Sequence, residues 1–262
     1  MEYSISNQYI EFNFLSHFSD RFVHCYTRGY DDSGKDFDFT RSSKEDDPRF
    51  IKNTRDLGDQ LGFDPVGVAM VLQMHTDLVK KVTYEDTFRH VTYDGLPVYD
   101  AMITDCKGVT LATKHADCVP VYMVDPEHNA IGLAHSGWKG TLHMIAPKTL
   151  EAMKQAYKSD PSHMSCVVGP SICAHCYEIQ EDVSRLFIDQ QPFSEEFILS
   201  EDSSLRLDLK GIIKESLIRT GLPGGNIRVC DLCTGCNRHM MYSYRKSKGS
   251  CGRSLAVLGI RA

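Results

Sequence analysis

The strongest constraint on this chain lies between Lys114 and Thr141, in the stretch KHADCVPVYMVDPEHNAIGLAHSGWKGT. Two apolar runs, Val119–Val124 and Ala130–Ala134, have the length and the β-branched or aromatic content of strands. The Asp125-Pro-Glu-His-Asn129 cluster between them reads as a turn. A hairpin of this kind sets the residue entering its first strand beside the residue leaving its second. Cys118 and His135 therefore fall side by side at one end of a sheet, which suits a metal site or a Cys–His pair.

The rest of the chain can bury such a hairpin. Its 262 residues are 42% hydrophobic and 24% charged, ordinary for a globular protein, and residues 1–262 read as a single domain. A net charge of −6 argues against general attraction to nucleic acid or to acidic membranes. No run approaches ~18 apolar residues. The opening Met-Glu-Tyr-Ser-Ile-Ser-Asn has no basic segment followed by an apolar one. The expectation is a cytoplasmic protein, a monomer or weak homodimer, whose ten Cys are reduced and in part metal-bound.

Strands are expected within residues 9–28, then a polar, mobile loop to about Asp47. The i, i+3, i+4, i+7 pattern of Phe50, Ile51, Thr54, Leu57 and Leu61 predicts a helix over Pro48–Gly62, with Asp47 as N-cap and Gly62 at the C-terminus. Val66–Met74 reads as a buried strand that delivers His75, and Lys80–Tyr84, Tyr99–Ile103 and Val109–Thr113 as further strands. Thr141–Lys158 reads as a helix interrupted at Pro147. Ser165–Val168, Asn226–Cys230 and Arg253–Ile260 read as strands, and Gln180–Ile188 and Leu207–Gly221 as helices. Strands in mixed order with helices between them indicate an α+β fold, a layered α/β/β/α-type domain with mixed sheets rather than a doubly wound parallel sheet.

His75, Cys118 and His135 each end or begin an apolar strand, 43 and 17 residues apart. Imidazole with thiolate favours zinc, with copper as the alternative, and three protein ligands leave a fourth position open, as catalytic sites require. The same residues also allow Cys118 to be a nucleophile with His135 as its base. His135-Ser-Gly-Trp-Lys-Gly-Thr141 opens a helix and could hold an anion through backbone N–H groups and Lys139. Gly169-Pro-Ser-Ile172 is a second sharp bend after a strand, and Tyr242-Ser-Tyr-Arg245 places an Arg late in the chain. Cys230-x-x-Cys233-x-x-Cys236, with His239 nearby, invites comparison with a zinc knuckle, but Cys173 and Cys176 lie more than fifty residues upstream. The three thiols therefore read as free, buried and metal-free, leaving about one zinc per chain.

Taken together, Gln73-Met-His75, Ala116-Asp-Cys-Val-Pro120, His135-Ser-Gly-Trp-Lys-Gly-Thr141, Gly169-Pro-Ser-Ile172 with Cys176-Tyr-Glu178, Cys233-Thr234 and Ser243-Tyr-Arg245 resemble the motifs of one family in order. It is the YfiH/DUF152 family, once labelled multicopper polyphenol oxidase or laccase domain, also called peptidoglycan editing factor and now associated with purine nucleoside phosphorylase activity. The resemblance runs from about Arg28 to the last strand. It implies a fold related to the catalytic domain of cytotoxic necrotizing factor toxins, and a zinc held by His75, Cys118 and His135. It also implies phosphorolysis of adenosine, inosine, guanosine and 5′-methylthioadenosine, with deamination of adenosine to inosine. The chain departs from the family pattern at Lys139, where Arg is usual, and at Arg28-Gly29-Tyr30-Asp31, where a Gly-rich segment is usual.

On this reading the substrates are small purine nucleosides and phosphate. Arg28, Arg55, Arg245, Lys139 and Ser171 are candidates for phosphate contact, because charge-assisted bonds suit that anion. Cys118 and His135 are at the reaction centre, and His115 and Asp117 beside the Cys are candidates for proton transfer. Two other classes stay open: a copper-dependent polyphenol oxidase, and a Cys–His hydrolase acting on cell-wall precursors. None of the eleven His forms the His-x-His pairs usual in multicopper oxidases.

Overall fold

The computed structural model describes residues 2–40, 47–90, 93–201 and 204–262. Their strands, in chain order, are β1 (Tyr3–Ile5), β2 (Tyr9–Phe12), β3 (Phe22–Thr27), β4 (Val68–Ala69), β5 (Val79–Lys81), β6 (Ala101–Thr104), β7 (Thr110–His115), β8 (Val119–Asp125), β9 (Ala130–Ser136), β10 (Ser165–Val168), β11 (Glu178–Ile179), β12 (Ile198–Glu201), β13 (Ser204–Leu207), β14 (Ile227–Val229) and β15 (Ser254–Ile260). The helices are α1 (Pro48–Leu61), α2 (Trp138–Leu142), α3 (Ile145–Tyr157), α4 (Glu181–Gln190) and α5 (Leu209–Arg219).

Two six-stranded mixed sheets form the middle of the molecule. One runs β1-β2-β3-β15-β7-β4 and the other β14-β10-β8-β9-β6-β5; a small sheet β11-β13-β12 stands apart from them. The facing surfaces of the large sheets share one core: Tyr26, Leu111, Ala256 and Leu258 from the first meet Met102, Tyr122, Val124, Ile131 and Leu133 from the second. The Tyr122 hydroxyl crosses that core to donate to the Cys25 carbonyl at 2.9 Å, so the buried phenol keeps a partner. Helix α1 covers the outer face of the first sheet, with Phe50, Leu57 and Leu61 on Val23, Cys25, Ala112 and Val257. Helices α3, α4 and α5 cover the outer face of the second, with Leu150, Met153, Phe187, Ile212 and Leu217 on Val121, Met123, Ala134 and Val168. The layers are thus α/β/β/α, as the mixed element order implies. Strands β8 and β9 are buried at every residue, which explains why their sequences are continuous apolar runs instead of alternating ones.

Helix α1 begins and ends as its sequence indicates. The Asp47 carboxylate accepts from the N–H groups of Arg49 and Phe50, and Gly62 takes the left-handed conformation with φ 75°. Ile51, however, lies outside the buried stripe and is exposed; Gly58 takes its place beneath Phe63 and Pro65. Three further expectations need correction, and one element goes beyond them. Residues 66–74 hold only the two-residue β4, and Leu72 and Met74 are exposed, because this segment runs past the sheet edge to reach the site. The helix break after Trp138 falls at Met144, with φ 63°, and not at Pro147, which sits in the first turn of α3, where a missing N–H costs nothing. The polar loop before α1 is pinned by Phe37 and Phe39, both buried against α1 and the first sheet; its residues 41–46 lie outside the described ones. The small sheet β11-β13-β12 has no strong sequence signal, its strands being two to four residues long and half-exposed.

Candidate metal centre and active-site cleft

The hairpin delivers what its sequence indicates. Strands β8 and β9 pair antiparallel, with Val119 opposite Ser136 and Pro120 opposite His135, so Cys118 and His135 share one end of the second sheet. The segment after β4 brings His75 to the same place. Gln73 holds that segment by acting as a substitute strand: its amide donates to the Lys114 carbonyl at 2.9 Å and accepts from the Lys114 N–H at 2.8 Å. His75 itself takes a left-handed φ of 59°, uncommon for a residue with a Cβ and held here by its surroundings. One donor atom each from His75, Cys118 and His135 lies within 4.8 Å of the others, with Cys118 Sγ 3.8 Å from His75 Nε2. Gly137 makes room for them. A Cβ there would stand 2.8 Å from His75 Cδ2 and 2.9 Å from Cys118 Sγ, so the glycine of the His-Ser-Gly-Trp bend is required by space, not by its φ.

Behind the three donors lies Asp100, fully buried. Its Oδ1 accepts from His135 Nδ1 at 2.8 Å, which leaves Nε2 of that ring for the site. Its Oδ2 accepts from Thr76 N at 2.5 Å, Thr76 Oγ1 at 2.8 Å and Met74 N at 3.2 Å, fixing the residues on both sides of His75. One carboxylate therefore orients two of the three donors, the arrangement that metal-bound histidines ordinarily have. Burial would push the Asp100 carboxyl up, but the His135 imidazole and the Thr76 donors bring it down to about 2. Burial would also raise the Cys118 thiol; the His135 charge and the bonds from His135 and His75 lower it to about 6. His135, opposed by burial, is raised to about 9 by the Cys118 thiolate and Asp100. A thiolate already favoured by its neighbours, one oriented imidazole and a second imidazole form a donor set that fits zinc or copper.

The three donors line a cleft of about 540 Å³ together with Thr40, Leu72, Gln73, Lys114, Ala116, Tyr244 and Arg253. Among the described residues its cations are Lys114 and Arg253, neither of which stood out in the sequence. Arg253 is set by the polar loop before α1: its N–H donates to Asp38 Oδ1 and its carbonyl accepts from Phe39 N. Its guanidinium bonds the Cys251 and Gly252 carbonyls and lies 5.5 Å from the Tyr244 ring.

The phosphate candidates chosen from sequence lie elsewhere. Arg28 is buried, bonded to the Ser6 carbonyl and to Asp32. Arg55 is exposed on α1, the outermost layer. Lys139 is exposed and stacks its ammonium over Trp138. Ser171 is fully buried, its backbone bonded to Leu232 and Thr234. Arg245 donates to the Glu178 carbonyl and lies over the Tyr177 ring. None of the five lines the cleft. Arg28, Ser171 and Arg245 fall in motifs, and their bonds here anchor loops.

The proton-transfer candidates are also turned away from it. His115 is buried beneath the site: Nδ1 donates to the Cys118 carbonyl at 3.0 Å and Nε2 accepts from Thr113 Oγ1 at 2.8 Å. Burial, and then the His135 charge, hold it well below its ordinary value, hence neutral. Asp117, at φ 85°, accepts from Thr234 Oγ1 at 2.6 Å and from Arg245 N at 2.7 Å. Both residues hold the turn that presents Cys118.

A four-layered α/β/β/α protein with an open, three-donor N/S site at a sheet end is a narrow class. Residues 18–261 match the family described as multi-copper polyphenol oxidoreductase laccase. The chain belongs to this laccase-like YfiH family. It is 31% identical over 219 residues to the purine nucleoside phosphorylase YlmD of Bacillus subtilis, covering 82% of this chain and 78% of that one. It is 34% identical over 218 residues to a purine nucleoside phosphorylase of Deinococcus radiodurans, covering 83% and 80%. The crystal structure of a Bacillus licheniformis hypothetical protein YfiH superposes with a TM-score of 0.89 at 27% identity, covering 99% of both chains. YlmD of Geobacillus stearothermophilus gives 0.89 at 26%, covering 99% and 98%. The family is one of enzymes, and several of its members bear the name purine nucleoside phosphorylase. Among the described residues no helix is long and apolar enough to cross a membrane.

Proposed function

We propose that this chain is a zinc-dependent purine nucleoside phosphorylase. It cleaves adenosine, inosine, guanosine and 5′-methylthioadenosine with phosphate and deaminates adenosine to inosine at the same site. The observation that carries this reading is the open His75–Cys118–His135 donor set, backed by Asp100, in a cleft with two cations. The names of the relatives supply the reaction.

His75, Cys118 and His135 would hold the zinc, with Asp100 keeping the His135 tautomer. Bound there, the metal supplies Lewis acidity toward a phosphate oxygen or a water in the cleft. Lys114 and Arg253 neutralise the phosphate as it approaches the anomeric carbon of the ribose; the new C–O bond forms as the glycosidic C–N bond breaks, and the purine leaves with that electron pair and takes up the proton that the hydrogen phosphate gives up. Leu72 and Tyr244 provide apolar wall for the base. His115, Asp117 and Arg245 act as positioning residues for the Cys118 turn, and the whole chain, residues 1–262, acts as one domain. In phosphate-containing buffer inosine should yield hypoxanthine and ribose 1-phosphate. Hypoxanthine released at an undiminished rate without phosphate would reject phosphorolysis.

The Cys118–His135–Asp100 chain also supports a Cys–His hydrolase acting on cell-wall precursors, since the thiol lies low and the imidazole is oriented. Activity that survives removal of the metal by chelator, and is lost on alkylation of Cys118, would select that reading. Oxygen consumption with phenols after copper loading would select the polyphenol oxidase.

A further inference from the structure

Far along the chain from the cleft donors, two Cys-x-x-Cys pairs converge. Cys173 and Cys176 lie in the bend after β10, and Cys233 and Cys236 in the loop after β14. Their four Sγ atoms lie within 4.8 Å of one another, and Cys176 Sγ is 3.5 Å from Cys236 Sγ. A tetrahedron of Zn–S bonds of ~2.3 Å puts its sulfurs about 3.8 Å apart, so the four are already spaced for one ion. A disulfide would need a bonded pair at about 2.05 Å, and all four cysteines are free. The cluster is also built as metal thiolate sites are, with a backbone donor on sulfur: Cys173 N–H donates to Cys233 Sγ at 3.2 Å.

The backbone holds the two pairs together independently of the sulfurs. Ser171 and Cys233 form a parallel bridge, with Ser171 N donating to the Leu232 carbonyl and Thr234 N to the Ser171 carbonyl. Gly235 admits the close approach, since a Cβ there would stand 3.2 Å from both Cys176 Cβ and Sγ. The sequence separation that made a second pair look remote, 60 residues from Cys173 to Cys233, is therefore closed by the β10–β14 parallel pairing.

We propose that Cys173, Cys176, Cys233 and Cys236 form a second, structural zinc site. Four sulfur ligands and no open position make it a closed site without catalytic function, and a tetrahedral set of four thiolates selects zinc, with iron as competitor, over Cu(II) or a hard cation. It clasps the loop after β10 to the loop after β14. Thr234, between two of its ligands, donates to Asp117, the neighbour of Cys118, so the clasp buttresses the turn that presents a donor of the first site. The site does not depend on which reaction the cleft performs.

The test is metal content, read without an activity assay. The chain, purified under reducing conditions without chelator, should carry about two zinc per chain by elemental analysis. Cys236→Ser, a change at an exposed ligand that leaves the core untouched, should lose one equivalent and keep the other; Cys118→Ala should lose the complementary one. Cobalt reconstitution gives a second readout: Cys118→Ala should retain the strong visible bands of tetrahedral tetrathiolate cobalt, and Cys236→Ser should lose them. A wild-type protein with one zinc, unchanged by Cys236→Ser, would overturn the proposal. So would a Cys176–Cys236 disulfide found by mass spectrometry in the reduced preparation.

Discussion

The two donor sets of this chain answer to opposite requirements. Cys118 comes from the start of β8, His135 from the end of β9 and His75 from the segment that runs on past β4; together they mix nitrogen with sulfur and line an open cleft. Cys173, Cys176, Cys233 and Cys236 come from the loops after β10 and β14, are all sulfur, and enclose the space between them. The first is held from behind, by Asp100 and Gln73, so that its front stays free. The second holds the loops that bear it. A set meant to react needs rigid supports and a vacant coordination position; a set meant to clasp needs neither, because the metal itself is the support.

Cys118→Ala separates the two most sharply. It removes the thiolate of the first set alone, so one zinc should remain in the protein while phosphate-dependent hypoxanthine release falls about a thousandfold or more, the metal's several kcal/mol of transition-state stabilisation at ~1.4 kcal/mol per decade. Retention of both zinc ions would remove Cys118 from the ligands. Asp100→Asn should act more gently. Its amide can still meet Thr76 but cannot fix the His135 tautomer, so zinc affinity of the first site should fall roughly 10- to 100-fold. Competition with a chelator reads this directly, and the tetrathiolate cobalt bands serve as an internal control. Bands that weaken in parallel would mean that Asp100 supports the fold as a whole.

How much of this contrast was legible differs between its halves. The hairpin announced Cys118 and His135 because β8 and β9 are buried on both faces, and buried strands leave unmistakable apolar runs with polar residues at their ends. Asp100 gave no signal: it enters β6 as one acid among 35, and its role exists only once β6 lies beside β9. The sulfur set was visible as two Cys-x-x-Cys pairs, but nothing local told that β10 and β14 would be neighbours. The phosphate candidates lie outside the cleft for a related reason. Arg28, Arg55, Lys139, Ser171 and Arg245 were chosen for place in the sequence, whereas Lys114 and Arg253 owe theirs to the neighbouring β7 and β15.

That difference can be measured. Arg253→Ala and Lys114→Ala should each raise the KM for phosphate about tenfold, the loss of one charge-assisted hydrogen bond, ~1.5 kcal/mol, with smaller change for inosine. Arg245→Ala, on the clasped side of the molecule, should leave the phosphate KM within about twofold, since Arg245 does not line the cleft. Equal effects of all three would mean that the anion is steered by overall charge and not held in the cleft.

The thiols of the metal-free protein should differ as well. Cys118 falls to about 6, so it is mostly thiolate at neutral pH and loses that form as pH drops through about 6. Cys176 lies in the other direction: burial and then its bond to Cys236 push it up to about 12. After chelation, alkylation of Cys118 should follow a midpoint near 6. At pH 7 it should run about two- to threefold faster than for an ordinary thiol, because the gain in thiolate is mostly offset by lower nucleophilicity. Cys176 should react more slowly than either. A Cys118 midpoint above 8 would mean that the His135 pairing does not govern the thiol.

The smallest effect lies on the bond that joins the two regions. Thr234 Oγ1 donates to Asp117 Oδ1 at 2.6 Å, both side chains being buried. Thr234→Val keeps the shape and removes the donor, leaving one carboxylate oxygen of Asp117 without it while Oδ2 keeps the Arg245 N–H. An unmet acceptor of this kind costs about 2 kcal/mol, and in a chain of this size that lowers the melting temperature by roughly 4–8 °C. Both zinc ions should stay, because the ligands themselves are unchanged, and Thr234→Ser should restore the stability. Loss of the first-site zinc in Thr234→Val would show that the clasp governs the reacting site directly. An unchanged melting temperature would show instead that Asp117 is held at its left-handed φ by the backbone, and that the two regions are mechanically separate.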